Sequence, residues 1–585
     1  MVSLPNAAPT VSSPRGPTRL AGMADEGTKE EGVGFTGGSS LEFIGGKENS
    51  LPASRVSRML SSELPQELHF INFVLKMGKY LMCKRTTPKP THGKEISEKG
   101  KSNLQFEDLP ADLICTILSK LPQKEAIRTS VLSSKWRSMW TLRSKISLDG
   151  GAVCGSRRRG QNKYCQRFIN NVEKVLQNYQ GKMVEAFGIK FEFDSILVDN
   201  LNKWVSFAVS ARTKHLSFDL VPIRFARCDD RFIFPFELLD SGSICRLQHL
   251  QFSFISLQPP SWFGGFPNLR KLELNLVHVT RKELENMLCN CCCLEWLSMV
   301  RCHLKDDLRV DRPMSHLAYL LISCCVITKI ELHATKLSTF IYEGEFVPIV
   351  LNHTSKLVNA HIFIFDAIFH HVVASLFHGL PNVHKLTLCI PDLQLENLWS
   401  LDNSLKFSCL KHIQLFAHIL SHGSDKILYL AYVMRAAPFV EKVEVHFASG
   451  HSLWFAQEGP LRHELGHDEY KYLKNLCVTG FKGARGQLEF LLHVVENATA
   501  LDVITVDTTE RMLESDIKND YLCSIARQTI ELHIREALPP KAKLFDIHSL
   551  LSFPLSLMSF NRHEHKQTSR SLTSFDWFSA EAKYW

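Results

Sequence analysis

The most explicit chemical pattern in the sequence is an H-E-x-x-H run, His463-Glu-Leu-Gly-His467. On a helix this spacing puts two imidazoles on one face as zinc ligands, with the glutamate as general base of a metalloprotease. Gly459-Pro460 comes just before the run and Gly466 lies inside it, which disfavours such a helix. The spacing of other residues does not identify a third zinc ligand. We predict a surface loop with no metal and no catalytic residue; a zinc hydrolase is the alternative, which metal analysis would test.

A second concentration of reactive side chains is the run Cys289-Asn-Cys-Cys-Cys293. A structural zinc site uses paired cysteines at regular separation, and the second pair is missing here. The chain has 17 cysteines, an odd number, and Met1 to Ser40 has no long apolar core of the kind that a secretory signal needs. These features predict free thiols in a reducing compartment, the cytoplasm and/or the nucleus, with no cofactor.

Composition excludes two classes of partner. The formal net charge is +8 over 585 residues, and the basic residues are dispersed rather than gathered in a stripe, so no nucleic acid is expected. The most membrane-like stretch, Leu68 to Met82, contains Lys76 and Lys79 and is shorter than the ~20 residues of a spanning helix. We predict no transmembrane segment and no membrane partner.

The strongest large-scale feature is a repeated template, in which an apolar residue is followed by two others, an apolar residue, one other and an apolar residue. Its ten copies start at Leu247, Leu269, Leu294, Leu317, Leu337, Leu357, Val383, Leu410, Val440 and Leu473. Most intervals between these starts fall within the 20 to 29 residues of leucine-rich repeats. The template predicts a short strand whose alternate side chains point inward, preceded by an apolar residue that supports it from the turn.

Two copies also place a cysteine where such repeats want asparagine or cysteine, at Cys302 and Cys325. An inward polar group at this position can satisfy backbone groups of the loops. The sequence therefore predicts an irregular leucine-rich-repeat solenoid.

A compact helical segment precedes the repeats. Phe106 to Pro122 begins with acidic residues and Pro110, then continues with apolar residues at helical spacing until Pro122 ends the helix. Two further short helices are predicted, the last carrying Trp136 and Trp140. Three short helices make a marginal core alone, and so large an apolar face suggests a partner. A self-contained helical bundle is the alternative.

Three motifs in this segment resemble the F-box of the plant F-box/FBD/LRR-repeat family. They are Asp108-Leu-Pro110, Ile117-Leu-x-x-Leu-Pro122 and Arg128-Thr-Ser-Val-Leu-Ser-Ser-Lys-Trp-Arg137. The resemblance implies docking on a Skp-type adaptor, and through it on a cullin, with the solenoid binding an unidentified protein target. Carried over by position, the adaptor-contacting residues are Leu109, Pro110, Ile114, Leu118, Leu121, Val131 and Trp136. Trp136 is either an interface anchor or a core residue of the F-box.

A second set of residues is similar to the FBD motif of the same family. Tyr472-Leu-Lys-x-Leu-x-Val-x-Gly480-Phe-x-Gly483 is followed by Glu489-Phe-Leu-Leu492 and Asn497-Ala-x-x-Leu501. The motif implies a strand, a glycine turn, an amphipathic helix and a further strand. We interpret it as the last unit of the solenoid, acting as a cap.

The predicted fold class is α/β: a short three-helix F-box, then the repeat solenoid, capped by the FBD-type strand–helix–strand unit. The predicted division is 1–102 a disordered or poorly ordered extension, 103–150 the F-box, 151–212 a linker and solenoid entry, 213–467 the solenoid, 468–510 the FBD region and 511–585 an unassigned C-terminal segment. The predicted function is a non-catalytic, substrate-recognition subunit of an SCF-type ubiquitin ligase. The alternative is a repeat-based interaction module that acts outside ubiquitin ligases.

Overall fold

The structure is a computed structural model, and its described residues all belong to one compact unit within residues 91–585. These residues are 114, 118, 139, 144–154, 161–181, 183–222, 230–352, 354–365, 367–390, 406–418, 427–448, 469–509 and 520–547. The predicted disorder of residues 1–102 and the H-E-x-x-H run lie outside them. No helix in these ranges is both long and apolar enough to cross a membrane.

Twenty strands occur in the described ranges. In chain order, β1 to β20 are Lys145–Asp149, Ala186–Lys190, His215–Asp219, Phe232–Ile233, His249–Ser253, Ile255–Ser256, Lys271–Asn275, Trp296–Val300, His303–Val310, Tyr319–Ser323, Val326–His333, Thr339–Glu345, Ile349–Asn352, Asn359–Phe365, Lys385–Ile390, His412–His418, Lys442–Ala448, Asn475–Thr479, Val503–Asp507 and Lys543–Ile547. Fifteen of them form one sheet in the order β1-β2-β3-β5-β7-β8-β10-β12-β14-β15-β16-β17-β18-β19-β20. We call this the main sheet.

The ten template copies of the sequence coincide with ten strands of the main sheet, from β5 to β18. The middle apolar residue of each copy lies in one row across parallel strands. That row is Leu250, Leu272, Leu297, Leu320, Phe340, Ala360, Leu386, Ile413, Val443 and Leu476. All ten side chains are buried. The predicted solenoid is confirmed, because identical pairing in every repeat is what buries one continuous apolar row.

The main sheet extends beyond the predicted solenoid at both ends. The segment 151–212, predicted as a linker and solenoid entry, contributes β2, and its Val184-x-x-Phe187-x-Ile189 follows the same template with all three side chains buried. β1 precedes it, inside the segment assigned to the F-box. At the other end, β20 lies in the unassigned C-terminal segment and pairs with β19. The predicted boundaries therefore cut a single continuous sheet.

A second, narrower ladder runs behind the middle of the main sheet. β9, β11 and β13 form a three-stranded parallel sheet, and β4 pairs with β6. Isolated bridges join Ser256 to His278 and His278 to His303, which connects the two parts through consecutive repeats. In these repeats, strands therefore occupy the position that helices occupy in other repeats, and the apolar core lies between two β-layers.

Helices occupy the side of the core opposite the main sheet in the remaining repeats. They are Gly150–Cys154, Gln161–Gln177, Val198–Ser210, Ser241–Arg246, Arg281–Leu288, Phe369–Gly379, Ala431–Arg435, Arg485–Asn497, Asp520–Thr529 and Arg535–Ala537, with a π-helical turn at Ile530–Ile534 and 3₁₀ turns at Ser195–Leu197 and Phe236–Leu238. The helix Arg281–Leu288 begins with a capping box between Thr280 and Glu283. It packs on β9, and Phe369–Gly379 packs on β13, so both edges of the three-stranded sheet are covered.

A left-handed residue follows the strand in several repeats. Phe254, Leu276, Arg301 and Cys324, which follow β5, β7, β8 and β10, have φ between 51° and 61°. Each donates its N–H to the carbonyl of the last or fifth residue of the next main-sheet strand, at 2.5 to 2.9 Å. Gly480 occupies the same position after β18, with φ 69°. This turn directs the chain away from the sheet in each repeat while still satisfying its backbone N–H.

The FBD region has the predicted order of strand, glycine turn, helix and strand, in β18, Gly480 to Gly483, Arg485–Asn497 and β19. The predicted helical stripe of Leu488, Leu491, Leu492 and Val495 is buried. The helix is buried on its polar side as well, because Ile530–Ile534 and Arg535–Ala537 pack against it. The FBD region is therefore not the last unit of the sheet: a further helical segment and β20 follow it.

Candidate functional site

Two of the seven predicted adaptor-contacting residues are described by the structure. Ile114 and Leu118 are helical, one turn apart, and both are fully buried. In the chain on its own they are core residues and offer no surface to a partner. Leu109, Pro110, Leu121, Val131 and Trp136 lie outside the described residues.

The cysteine run is a turn immediately before Leu294. The N–H of Cys291 bonds to the Leu288 carbonyl, and the Leu294 N–H bonds to the Cys291 carbonyl. The Cys291 thiol is buried and donates to the Met287 carbonyl at 3.0 Å, whereas Cys292 is exposed. Burial, with a smaller contribution from neighbouring thiols, raises the pKa of Cys291 to about 12, so it is a structural thiol at neutral pH.

The two cysteines at the repeat position for asparagine or cysteine perform the predicted structural role. Cys302 Sγ lies 3.5 Å from the Leu274 carbonyl oxygen, and Cys325 Sγ lies 3.4 Å from that of Met299. The backbone N–H of Cys302 also donates to Cys325 Sγ at 3.3 Å. Each thiol thus joins its own repeat to the preceding one, and the two form a short internal ladder.

The outer face of the main sheet carries the side chains that alternate with the buried template residues. At its first register row, a column of stacked groups crosses five neighbouring strands. The rings of His215 and His249 are 4.2 Å apart, Lys271 Nζ lies 4.8 Å from the Trp296 ring, and Trp296 stacks on Tyr319 at 3.5 Å. Burial, followed by nearby positive charge, lowers the pKa of His249, so this imidazole is neutral at pH 7.

A shallow depression of about 460 Å³ lies on this column. Its walls include Arg270, Glu295, Trp296 and Tyr319. The charges around it are already paired, because Arg270 contacts Glu295 at 2.9 Å and Lys271 contacts Glu273 at 3.1 Å. The depression therefore offers aromatic surface rather than an uncompensated charge.

Further along the outer face, β16 to β18 carry a buried polar network. Glu444 accepts hydrogen bonds from His412 at 3.1 Å and from Lys442 at 2.5 Å. His446 lies 3.4 Å from the Glu444 carboxylate and 2.9 Å from Thr479 Oγ1. Burial raises the pKa of Glu444, but hydrogen bonds from His412, His446 and Lys442 outweigh it and hold that pKa well below its ordinary value.

The order Thr479, His446, Glu444 has the connectivity of a hydroxyl nucleophile, a base and an orienting carboxylate. Thr479 is fully buried and His446 is 1% exposed, so no substrate carbonyl can reach the hydroxyl in this arrangement. The network is best explained as a hydrogen-bonded link between neighbouring repeats, because buried polar groups must find partners.

Between these two regions an apolar band runs obliquely across the outer face. We call it the outer stripe; it consists of the half-buried Trp296, Tyr319, Ile341, Phe363 and Phe365 and the buried Leu321. Its residues come from β8, β10, β12 and β14. Phe363 and Phe365 form an edge-to-face pair with ring centroids 5.2 Å apart. Sequence reasoning did not single these residues out, although they occupy the template positions that alternate with the buried ones.

Two carboxylates stand beside the phenylalanines. Glu343 and Glu345 on β12 are in register with Phe363 and Phe365 on β14. Glu343 accepts a hydrogen bond from the Ser323 hydroxyl at 2.6 Å, and Glu345 is exposed. Within the described part of the chain, neither carboxylate forms an ion pair. Acidic and aromatic groups therefore adjoin at this end of the outer stripe.

Comparison with protein families agrees with this geometry. A model described as the At1g61320/AtMIF1 LRR domain matches residues 175–543, more than half of the chain. The chain belongs to this LRR-domain family. A model of the F-box domain matches residues 106–147, so the F-box predicted from Phe106 onward is confirmed as a domain. Neither of the two matched families is an enzyme family.

Curated relatives extend the agreement to the full arrangement. The chain is 24% identical to the F-box/FBD/LRR-repeat protein At1g13570 of Arabidopsis thaliana, over 73% of this chain and 96% of the relative. It is 24% identical to the F-box/FBD/LRR-repeat protein At4g26340 of the same plant, over 68% of this chain and 91% of the relative. A third such relative, At2g04230, is 31% identical over 34% of this chain and 42% of its own length. The resemblance to the plant F-box/FBD/LRR-repeat family is confirmed.

Proposed function

We propose that this protein is the substrate-recognition subunit of an SCF-type ubiquitin ligase. The observation that carries the proposal is an F-box at 106–147 on the same chain as an LRR domain at 175–543. The F-box binds a Skp-type adaptor, and the repeats bind a protein target. Ubiquitin transfer is accelerated because the target is held near the catalytic subunits, so a bimolecular encounter becomes local.

The adaptor contact is assigned to the five predicted residues that lie outside the described part of the chain. The proposed contacts are Leu109, Pro110, Leu121, Val131 and Trp136. Ile114 and Leu118 are fully buried and are assigned to the core of the F-box. An apolar helical face that docks in a groove is a recurring mode of recognition, and a tryptophan is a frequent anchor. No residue of this chain is assigned a bond-breaking role.

The test is co-purification of the full chain with a Skp-type adaptor and a cullin. Leu109→Ala/Pro110→Ala should abolish capture of both. The matched control is Ile233→Ala/Trp262→Ala, which removes two exposed apolar side chains of the repeats and should leave capture intact. Failure of the folded, unsubstituted chain to retain the adaptor would favour an interaction module that acts outside ubiquitin ligases.

A further inference from the structure

Among the described residues, the end of the outer stripe on β12 and β14 differs in its electrostatics from the rest of the stripe and of the outer face. At the depression beside Trp296, each charged side chain has a partner of opposite sign. In the network around Glu444, Lys442 forms an ion pair with the carboxylate and two imidazoles lie against it. At the outer stripe, by contrast, Glu343 and Glu345 have no cationic partner.

The negative field of these carboxylates acts on neighbouring buried groups. Burial first, and then the charge of Glu343, raise the pKa of Cys389 to about 12. The Cys324 thiol pKa is raised in the same way, by burial and by Glu343. Because neither carboxylate forms an ion pair within the described part of the chain, this negative charge is available to a partner.

The aromatic pair beside the carboxylates narrows the chemistry of that partner. A lysine or arginine side chain has an apolar stem and a cationic head. Its stem would lie on the Phe363 and Phe365 rings, where a cation is also attracted to the ring faces. Its head would reach the carboxylates of Glu343 and Glu345. The apolar remainder of the stripe, around the half-buried Ile341, fits aliphatic side chains.

We propose that the outer stripe is the target-binding surface, and that it takes a basic segment of the target protein with interspersed apolar side chains. The proposal rests on the proposed function, whose target it describes. The stripe crosses three strand spacings and six residues along the strands, about 24 Å in all. A helical segment of about 16 residues spans that distance.

The net charge of the chain makes a preference for a basic ligand a specific test of the outer stripe. The whole chain carries a formal charge of +8, so non-specific electrostatics favour an acidic ligand. Preference for a basic ligand must therefore come from a local site. An acidic side chain at the stripe would face two unpaired carboxylates and be repelled.

The experiment measures binding of two synthetic amphipathic peptides of about 16 residues. Both have leucine on the apolar face of the helix; one has lysine and the other glutamate at the polar positions. Fluorescence anisotropy on the full chain is expected to show the lysine peptide bound and the glutamate peptide bound at least about tenfold more weakly. Glu343→Gln/Glu345→Gln should weaken the binding of the lysine peptide by about tenfold or more. Glu343→Lys/Glu345→Lys should reverse the preference.

The matched control is Glu331→Gln/Glu441→Gln, which removes two negative charges at salt-bridged positions away from the stripe. It should leave the affinity within about twofold, since surface ion pairs contribute little. Equal binding of the two peptides to the unsubstituted chain would overturn the proposal, as would an unchanged affinity in the Gln double variant. The comparison of the two peptides on the unsubstituted chain does not depend on whether a variant folds. Thermal melts verify that the variants are folded.

Adaptor capture by the same preparations separates the two proposals. If the chain captures the adaptor but does not prefer the lysine peptide, the assignment of the outer stripe as the target-binding surface is overturned and the ubiquitin-ligase proposal is unaffected. Peptide preference without adaptor capture would overturn the ubiquitin-ligase assignment and leave the stripe as the binding site of an interaction module.

Discussion

At the scale of single residues, three acidic side chains of the outer face illustrate how similar positions differ in chemistry. Glu444 is enclosed by two imidazoles and a lysine, whereas Glu343 and Glu345 face solvent and phenyl rings. The enclosed carboxylate stabilises the fold, because charge-assisted hydrogen bonds favour its ionised form. The other two leave a negative surface that the fold does not use.

The pKa of Glu444 leads to a prediction about acid stability. Its pKa is lower folded than unfolded, so the stability it contributes is present above the unfolded carboxyl pKa of about 4.3 and declines as the pH falls below that value. The difference in unfolding midpoint between the unsubstituted chain and Glu444→Gln should be largest at pH 5 and above, and should shrink toward pH 3. Denaturant titrations at several pH values measure it.

The control for that experiment is Glu441→Gln. Glu441 is paired with Lys411 and Lys474 at a more exposed position, where ion pairs are worth less. Its effect on the midpoint should be the smaller one at neutral pH. A Glu444→Gln effect that grew on acidification would contradict the assignment of Glu444 as a stabilising carboxylate.

At the scale of elements, the glycine turn of the FBD region combines two requirements. Gly480 has φ 69°, and a Cβ on it would collide with the Phe447 carbonyl oxygen of the preceding repeat. Buried Gln487 closes the same turn: its side chain accepts from the Lys482 N–H at 2.9 Å and donates to the Gly480 carbonyl at 3.1 Å. Other repeats tolerate larger residues in the left-handed position, so the close approach is what requires glycine here.

Gly480→Ala should therefore lower the free energy of unfolding by about 2 kcal/mol or more, since the left-handed conformation and the collision both penalise a side chain. Gly188→Ala is the matched control, because a Cβ there meets only ordinary contacts of 3.7 Å or longer on β2. Denaturant unfolding followed by circular dichroism compares the two. Equal effects would show that backbone entropy, rather than the collision, decides the cost.

The sequence predicted ten strands of the main sheet because each begins from a complete template. The unit at Val184 was missed although it carries the same template, since it stands apart from the regular series. β9, β11 and β13 have no such pattern, and their packing against the core depends on neighbouring repeats. The outer stripe could not be selected in advance either, because register across strands decides which side chains adjoin.

At the scale of the whole molecule, the described repeats form a stack in which each main-sheet strand pairs only with its neighbours. Stability in such a stack is a sum of repeat and interface contributions. A strand near either end of the main sheet has fewer neighbouring repeats on one side than a strand in the middle. The second ladder adds a further β-layer to the middle repeats alone.

Amide hydrogen exchange should therefore be slowest in the middle of the main sheet. Mass spectrometry of exchanged, digested protein is expected to show the greatest protection in β8 to β12, falling toward β1 and β20. Equal protection from end to end would mean that the sheet opens as a single cooperative unit.

The direction of the backbone hydrogen bonds has a mechanical consequence. In the main sheet they run along the stack, from each repeat to the next. A force that pulls the two ends apart along this direction loads each row in tension, and rows separate one at a time rather than resisting together. The repeats should therefore extend under lower force than a domain whose terminal strands must slide past each other, and a target held by the stripe would be carried on a compliant support.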